Sequence, residues 1–355
     1  MSDRRAFINA VAGAVPGHDV HRLFIDWAEG QVADERLRKL FRRMADRAGI
    51  EHRWSVLPEP AGGGRPDFYA GDSPPTSARM QVYAEAAPEL ALRAIANLRE
   101  RAPLDGITHL VVASCTGFTA PGIDQIVARE LGLAGDVERL MIGFMGCYAG
   151  ATALRTAGQL ARADEGARVL VVAVELSSLH LQAEAGLEST LAMAQFSDGA
   201  AAAIVSTEGP GLAIGEGLSA TLEDSGELIT WAIGDTGFEM GLSGEVPGRL
   251  AHALADPALA GRILDGGADA IDAWAVHPGG KSILDAVERS LGLPQTALAE
   301  SREVLRTCGN MSSATILFVL ERIMPRKPAS GVALAFGPGL AMEGFRFGWT
   351  DCDAG

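Results

Sequence analysis

Apolar and polar positions along this chain follow two different periods, and the switches between them mark its elements. In residues 35–49 (ERLRKLFRRMADRAG), Leu37, Leu40, Phe41 and Met44 recur at three- and four-residue spacing, which predicts a helix with one apolar face. Residues 21–27 (HRLFIDW) predict a helix just before it. The same period runs longest over residues 76–101, where a Thr or Ser cap opens the predicted helix and Pro88 kinks it. Other runs are apolar throughout: residues 110–113, 169–174, 200–205, 273–276 and 331–336. Runs of that length without alternation predict strands buried on both faces. Helical patterns sit between them, so the predicted class is α/β, with helices covering both sides of the sheets. A Pro- and Gly-rich loop over residues 57–75 is expected on the surface.

The order of strands and helices repeats. ARELGL at 128–133 answers ERSLGL at 288–293, 160 positions on, and the pairs Gly117/Gly280, Gly146/Gly309 and Val169/Val332 each lie 163 positions apart. Spacing kept across four elements reads as an internal duplication. It divides the chain into residues 1–210 and 211–355. The offset of 163 also sets Ser114 against His277 and Cys147 against Asn310. If the halves pack about a pseudo-twofold axis, these corners converge.

Cys147 draws the chemistry to itself. Residues 140–144 (LMIGF) predict a short strand that crosses a Gly146–Cys147 corner into a helix of small residues from Ala149 to Leu160. Unpaired backbone N–H groups and the positive end of the helix dipole lie at such a start, and both favour a thiolate. The alternative is a buried cysteine that only fills space.

Charge and composition narrow the choices. A net charge of −15 disfavours nucleic acid and anionic membranes as general partners. Arg36, Lys39, Arg43 and Arg47 nevertheless form a basic face on the predicted helix at 35–49, suited either to solvent or to phosphates. Cys115, Cys147, Cys308 and Cys352 are far apart and form no CxxC pair, which argues against a zinc site or a disulfide framework and favours a reducing compartment. The first 20 residues have no signal-peptide core, and no run of 18 apolar residues occurs. A cytoplasmic protein without stable membrane association is expected.

Four stretches, GFMGCYAG around Cys147, AVHPGG around His277, TCGNMSSA around Asn310 and AFGPGL at 335–340, resemble the chalcone/stilbene synthase-like type III polyketide synthases of the thiolase superfamily, in particular their bacterial branch. The resemblance covers nearly the whole chain. It implies the five-layered αβαβα thiolase-like fold in two duplicated halves, the first carrying the nucleophile and the second the catalytic His and Asn, and a homodimer. It also implies a catalytic set of Cys147, His277 and Asn310. In that scheme His277 stabilises the Cys147 thiolate as an ion pair, and His277 and Asn310 hold the enolate left when a malonyl thioester loses carbon dioxide. Phe196, within QFSDG, and Phe238, within TGFEM, fall where the family separates a coenzyme A tunnel from the cavity. Cys115, His180, Ser312 and the loop Gly337, Pro338 and Gly339 fall on cavity positions, and Ala120 falls where the family reaches into the neighbouring subunit. Arg43, Arg47, Gly279 and Gly280 fall on coenzyme A contacts. Neither metal nor cofactor is implied; acyl-CoA and malonyl-CoA are the expected substrates.

The reaction this implies is iterative decarboxylative condensation onto an acyl group carried by Cys147, then cyclisation to a pyrone or phenolic ring. A fatty acyl starter giving an alkylpyrone or alkylresorcinol is one expectation, a malonyl-primed tetrahydroxynaphthalene another. An initiating ketoacyl synthase uses the same Cys–His–Asn set but takes an acyl-carrier-protein partner and condenses once. A non-catalytic acyl-CoA-binding relative is the rival of another class.

Overall fold

The apolar runs pair into a nine-stranded sheet whose order shows the duplication. From one edge to the other, the strands are Ala273–Val276, Gly331–Gly337, Ala341–Thr350, Gly211–Thr221, Phe7–Ala14, Asp198–Ser206, Arg168–Leu176, His109–Ser114 and Glu138–Gly143. Outward from the centre, each half runs antiparallel, antiparallel, then parallel. The last strand, Glu138–Gly143, has no counterpart in the second half. The halves join through two register pairs, Phe7 with Ala213 and Ile8 with Leu212. This computed structural model describes residues 4–59, 67–71, 73–164, 166–182 and 186–351; residues 60–66 and 72 of the predicted surface loop, and Cys352, lie outside them.

Alternation along the buried strands sorts the core into layers, because successive side chains point to opposite faces. Val111, Ala113, Val171 and Ala173 from the first half face inward with Ala273, Ala275, Ala333 and Ala335 from the second. Between them lie the helices Ala149–Ala163 and Thr315–Ile323, which supply Leu154, Ala157, Leu317 and Leu320. Leu110, Val112, Leu170 and Val172 face the other way, onto the helix Thr76–Arg99. Trp274, Val276, Val332 and Leu334 pack on the helix Lys281–Ser290. The result is helix, sheet, helix, sheet, helix, as expected.

Local details depart from the sequence reading. The helix Thr76–Arg99 runs through Pro88, and its cap position is Pro75, which has no side chain to offer. Thr76 instead donates its hydroxyl to the Gly234 carbonyl and its N–H to that of Asp235 at 2.8 Å. On the helix Glu35–Arg47, the buried residues are Phe41 and Ala45, packed with Ile25, Ala28 and Ala194. Leu37, Leu40 and Met44 are exposed. The helix is narrower in its buried face than its sequence pattern predicts, because only the Phe41 side meets the body.

The two central helices approach closely at a glycine. A Cβ on Gly150 would lie 2.1 Å from the Ser313 carbonyl oxygen. Backbone cannot yield as a flexible side chain can. Gly150→Ala is therefore expected to destabilise the fold by about 1–3 kcal/mol through overpacking, read as a lower thermal midpoint with unchanged far-ultraviolet dichroism before the transition.

Candidate active site

Duplicated corners bring three reactive side chains to one place. Cys147 lies in the 3-10 turn Gly146–Tyr148, which feeds the helix Ala149–Ala163. Gly146 takes φ +76°, and a Cβ there would meet Pro338 at 2.5 Å. Glycine therefore allows both the bend and the approach of the Gly337–Pro338 loop. His277 ends the strand Ala273–Val276, and its N–H donates to the Leu334 carbonyl at 2.7 Å. Asn310 follows the helix Ala299–Cys308 through Gly309, at φ +69°. Its N–H donates to the Gln195 carbonyl and its carbonyl accepts from the Ser197 N–H, both at 2.9 Å, so Phe196 and Asn310 form a short parallel bridge. All three line one cavity of about 760 Å³.

Most of the expected site residues share that cavity. Phe196, Phe238, Cys115, His180 and Ser312 line it, as do Gly279, Gly337 and Pro338. Five do not. Gly280 is buried as the cap of the helix Lys281–Ser290, where a Cβ would strike the Gln195 side chain at 2.2 Å. Gly339, at φ +75°, turns the chain behind the wall. Ala120 is exposed, in the loop between the strand His109–Ser114 and the helix Ile123–Glu130. Arg43 is exposed and outside the lining of this cavity; its Nε donates to the Lys39 carbonyl at 3.4 Å. Arg47 borders a second, outer pocket of about 540 Å³ with His21, Lys281 and Asp285. That pocket shares Met44, Leu191, Gln195 and Ser282 with the main cavity, so the two are contiguous.

In this resting geometry His277 makes no hydrogen bond to Cys147. Both ring nitrogens of His277 are buried without a hydrogen-bond partner, and burial holds its pKa down at about 3, so the imidazole is neutral. Burial pushes the Cys147 thiol up to about 11, and the nearby Glu175 charge adds to that, while Ser312 and the Asn310 amide, within hydrogen-bonding reach, favour the thiolate. The Asn310 side chain is itself oriented, receiving the Ser312 N–H on Oδ1 at 2.8 Å and donating to the Gly279 carbonyl at 3.3 Å. Ser312, a non-glycine residue, is held at φ +47°.

His180 is wall rather than ligand. Its Nε2 donates to the Thr116 carbonyl at 2.7 Å, its Nδ1 accepts from the Phe238 N–H at 3.0 Å, and its ring stacks on Phe238 at 4.2 Å. Burial holds it neutral, with a pKa of about 4.

This geometry has relatives. The chain matches the family descriptions "Chalcone and stilbene synthases, N-terminal domain" over residues 3–209 and "Chalcone and stilbene synthases, C-terminal domain" over residues 217–348. The chain belongs to the chalcone and stilbene synthase family. It is 35% identical over 333 residues to bisdemethoxycurcumin synthase of Oryza sativa subsp. japonica, covering 86% of this chain and 82% of that one. It is also 35% identical over 287 residues to the alpha-pyrone synthesis polyketide synthase-like Pks18 of Mycobacterium tuberculosis, covering 76% and 72% respectively. Among solved structures it is similar to PKS-I from the brown alga Ectocarpus siliculosus, with a TM-score of 0.90, 30% identity and 99% and 100% coverage. The type III domain of the Dictyostelium hybrid Steely1 superposes with a TM-score of 0.86 at 27% identity, over 97% and 99% of the two chains. The protein is thus a type III polyketide synthase, an acyltransferase of thiolase-like fold.

Sequence reasoning passed over several residues of this synthase's site. Arg53 is buried, donates to the carbonyls of Met193 at 3.0 Å and Phe196 at 2.9 Å, and so fixes the segment that clamps Asn310. Glu175 is fully buried, accepting from the N–H of Cys115 at 3.0 Å, from Thr116 Oγ1 at 2.8 Å and from the Ser313 hydroxyl. One signal was present: an acid at the end of the apolar run 169–174, within the strand Arg168–Leu176.

Buried neutral histidines make stability depend on pH. His277 has a folded pKa lowered from 6.5 to about 3, and His180 and His21 have theirs lowered to about 4, so between pH 6.5 and 4 the unfolded chain takes up three protons that the folded chain refuses. Stability falls with pH across that window, by about 1.4 kcal/mol per pH unit for each of His277 and His180 and by less for the half-buried His21, which water screens. Asp198 opposes this below pH 6, since burial raises its pKa to about 6 in the fold. Urea midpoints at pH 7, 6 and 5 are expected to decline, and the slope to flatten by about one proton in His180→Gln.

Proposed function

We propose that this synthase loads an apolar acyl-CoA starter onto Cys147, extends it repeatedly with malonyl-CoA, and closes the product to a pyrone or phenolic ring. The observation that carries this is the convergence of Cys147, His277 and Asn310 on one wall of a largely apolar cavity. The thiolate attacks the starter thioester and expels coenzyme A. Malonyl-CoA then loses carbon dioxide, and the enolate oxygen needs hydrogen-bond donors already in place. The neutral His277 imidazole has one N–H to give, and the Asn310 amide is held by two hydrogen bonds. The enolate carbon attacks the acyl-cysteine, and the chain grows by two carbons.

Leu57, Leu181, Leu191, Ile229, Met240 and Leu242 line the rest of the cavity, which suits a hydrocarbon starter. The name of the Mycobacterium relative, with its alpha-pyrone, points the same way. The curcuminoid named for the rice relative marks an aromatic starter as the second reading. Coenzyme A phosphates would sit in the outer pocket, where neither Arg47 nor Lys281 is ion-paired among the described residues. We further propose a homodimer: the edge strand Glu138–Gly143 exposes Leu140 and Met141, and Phe118 beside it is also exposed, near Ala120. Among the described residues no helix is long and apolar enough to cross a membrane.

Two experiments test these readings. Incubation with malonyl-CoA and acyl-CoAs of increasing length is expected to give triketide and tetraketide lactones by mass spectrometry, and none with Cys147→Ala; a single condensation requiring an acyl carrier protein would instead identify an initiating ketoacyl synthase. Arg47→Ala is expected to raise KM for malonyl-CoA about three- to tenfold, with kcat nearly unchanged, and to leave KM for malonyl-pantetheine, which lacks the nucleotide, as it was.

A further inference from the structure

Among the described residues, the large apolar side chains left exposed fall into two groups, with Ile233 apart from both. Phe118, Leu140 and Met141 stand at the sheet edge assigned above to the homodimer; Leu37, Leu40 and Met44 stand on the helix Glu35–Arg47. At 3.6 residues per turn, this second group shares an arc of about 120° with Arg36, Arg43 and Arg47. All six side chains are exposed, and none of the three arginines is ion-paired among the described residues. The acids of the helix are engaged elsewhere. Glu35 pairs with Lys39 at 2.6 Å and Asp46 with Arg42 at 4.0 Å, while the Asp34 cap accepts from the N–H groups of Arg36 and Leu37. In a chain of net charge −15, this face is positive and apolar and holds no acid.

We infer that this face docks a small acidic protein carrying an acyl chain as a phosphopantetheine thioester, from which the synthase takes its starter while it draws extender units from malonyl-CoA. Continuity with the site is one reason. Met44 lines both the main cavity and the outer pocket, and Arg47 borders the outer pocket. A pantetheine arm entering there would point its thioester toward Cys147 and leave its phosphate beside Arg47 and Lys281. The extent of the face is another. Arg36, Leu37 and Leu40 lie outside the lining of either pocket. Arg36 stands about 16 Å from Arg47 along the helix, a length that a protein covers and a nucleotide has no need of. The composition agrees, since arginine and methionine are enriched at protein interfaces while acids are depleted. Opposite charge on the partner would steer the encounter. A lipid surface fits less well: the exposed face has no Trp or Phe to seat at a headgroup boundary, and a bilayer offers no thioester.

The transfer balances. The Cys147 sulfur attacks the carrier's thioester carbonyl, and the acyl C–S bond to pantetheine breaks as the bond to Cys147 forms. The departing pantetheine thiolate takes the proton that the cysteine gave up. Extension then proceeds as from an acyl-CoA starter. Repeated use of malonyl-CoA keeps this scheme apart from a ketoacyl synthase, which condenses once.

The inference rests on the proposed function for the fate of the acyl group, and its test therefore includes a binding arm that needs no turnover. The probe is a free, acidic acyl carrier protein of bacterial fatty-acid synthesis loaded with a dodecanoyl chain, compared with dodecanoyl-CoA. The full chain is expected to make triketide and tetraketide lactones from the loaded carrier and malonyl-CoA, with a KM for the carrier that rises with ionic strength. The triple variant Arg36→Glu, Leu37→Gln, Leu40→Gln keeps good helix formers at exposed positions. It is expected to raise KM for the carrier, and the Kd of the fluorescently labelled carrier, about tenfold. KM for dodecanoyl-CoA and for malonyl-CoA is expected to stay within about twofold. Equal loss of carrier and coenzyme A use, in the triple variant and in Arg36→Glu alone, would overturn the docking. So would a parent protein that uses dodecanoyl-CoA and ignores the carrier. Sedimentation with phosphatidylglycerol vesicles, abolished in the triple variant and without carrier binding, would overturn it in favour of a membrane. Carrier binding that the variant weakens, in a protein that makes no polyketide from any thioester, would sink the proposed function and leave the docking face standing.

Discussion

The helices Ala149–Ala163 and Thr315–Ile323 begin side by side, and their spacing is set at Gly150, where a Cβ would lie 2.1 Å from the Ser313 carbonyl. Around that contact the chain has placed small residues: Ala149, Ala151 and Ala153 on one side, Ser312, Ser313 and Ala314 on the other, all close to fully buried. Small residues let backbones approach, and here the approach does two things. It brings the Cys147 turn against the Asn310 turn, and it puts the Ser312 and Ser313 hydroxyls within reach of Cys115 and Glu175. A larger residue at Gly150 would part the two turns by the width of its side chain. The duplication supplies two equivalent corners, and the glycine lets them share one site.

Packing that dense has an electrostatic consequence. Burial works against charge on both reactive groups, pushing the His277 pKa down and the Cys147 pKa up. Two buried cations hold backbone nearby: Arg53 donates to the carbonyls of Met193 and Phe196, and Arg79 to those of Pro74, Leu179 and Leu181. Arg79 thereby pins the segment that carries His180, whose nitrogens are committed to Thr116 and Phe238. An imidazole with both nitrogens used cannot serve as acid or base, which separates the wall histidine from the reactive one. Both nitrogens of the buried His277 are without a hydrogen-bond partner among the described residues.

How much of this was legible in the sequence follows from what local pattern can report. The buried strands, the duplication and the three corners could be read because apolar runs and positive-φ glycines such as Gly146 and Gly309 leave a mark at their own positions. The wider apolar face assigned to residues 35–49 failed because period alone cannot say how much of a helix is buried; Phe41 and Ala45 are, while Leu37 and Leu40 are exposed and Met44 is exposed along the cavity lining. Glu175 and Arg53 were overlooked because their roles come from partners 60 and 143 positions away, Cys115 and Phe196.

The cavity has two walls of different origin, and this separates what the enzyme does from what it does it to. The reactive wall is built from the duplicated corners, with His277 and Asn310 almost wholly buried and Asn310 held by backbone on both sides. Much of the facing wall comes from a two-stranded sheet, Ile229–Gly234 with Gly237–Leu242, which stands outside the nine-stranded sheet. It supplies Ile229, Trp231, Phe238, Met240 and Leu242. Its hydrogen bonds to the body include Trp231 to Cys115, Gln182 to Thr236 and Phe238, the Phe238 N–H to His180, and Thr76 to Gly234, Asp235 and Gly237 at the ribbon's turn. Ile229, Met240 and Leu242 carry none of these anchors. Changes in their size reshape the space for the acyl chain without touching the residues that make or hold the thiolate. The anchored positions, Trp231 and Phe238, join that wall to Cys115 and His180, so a change there reaches the reactive side as well.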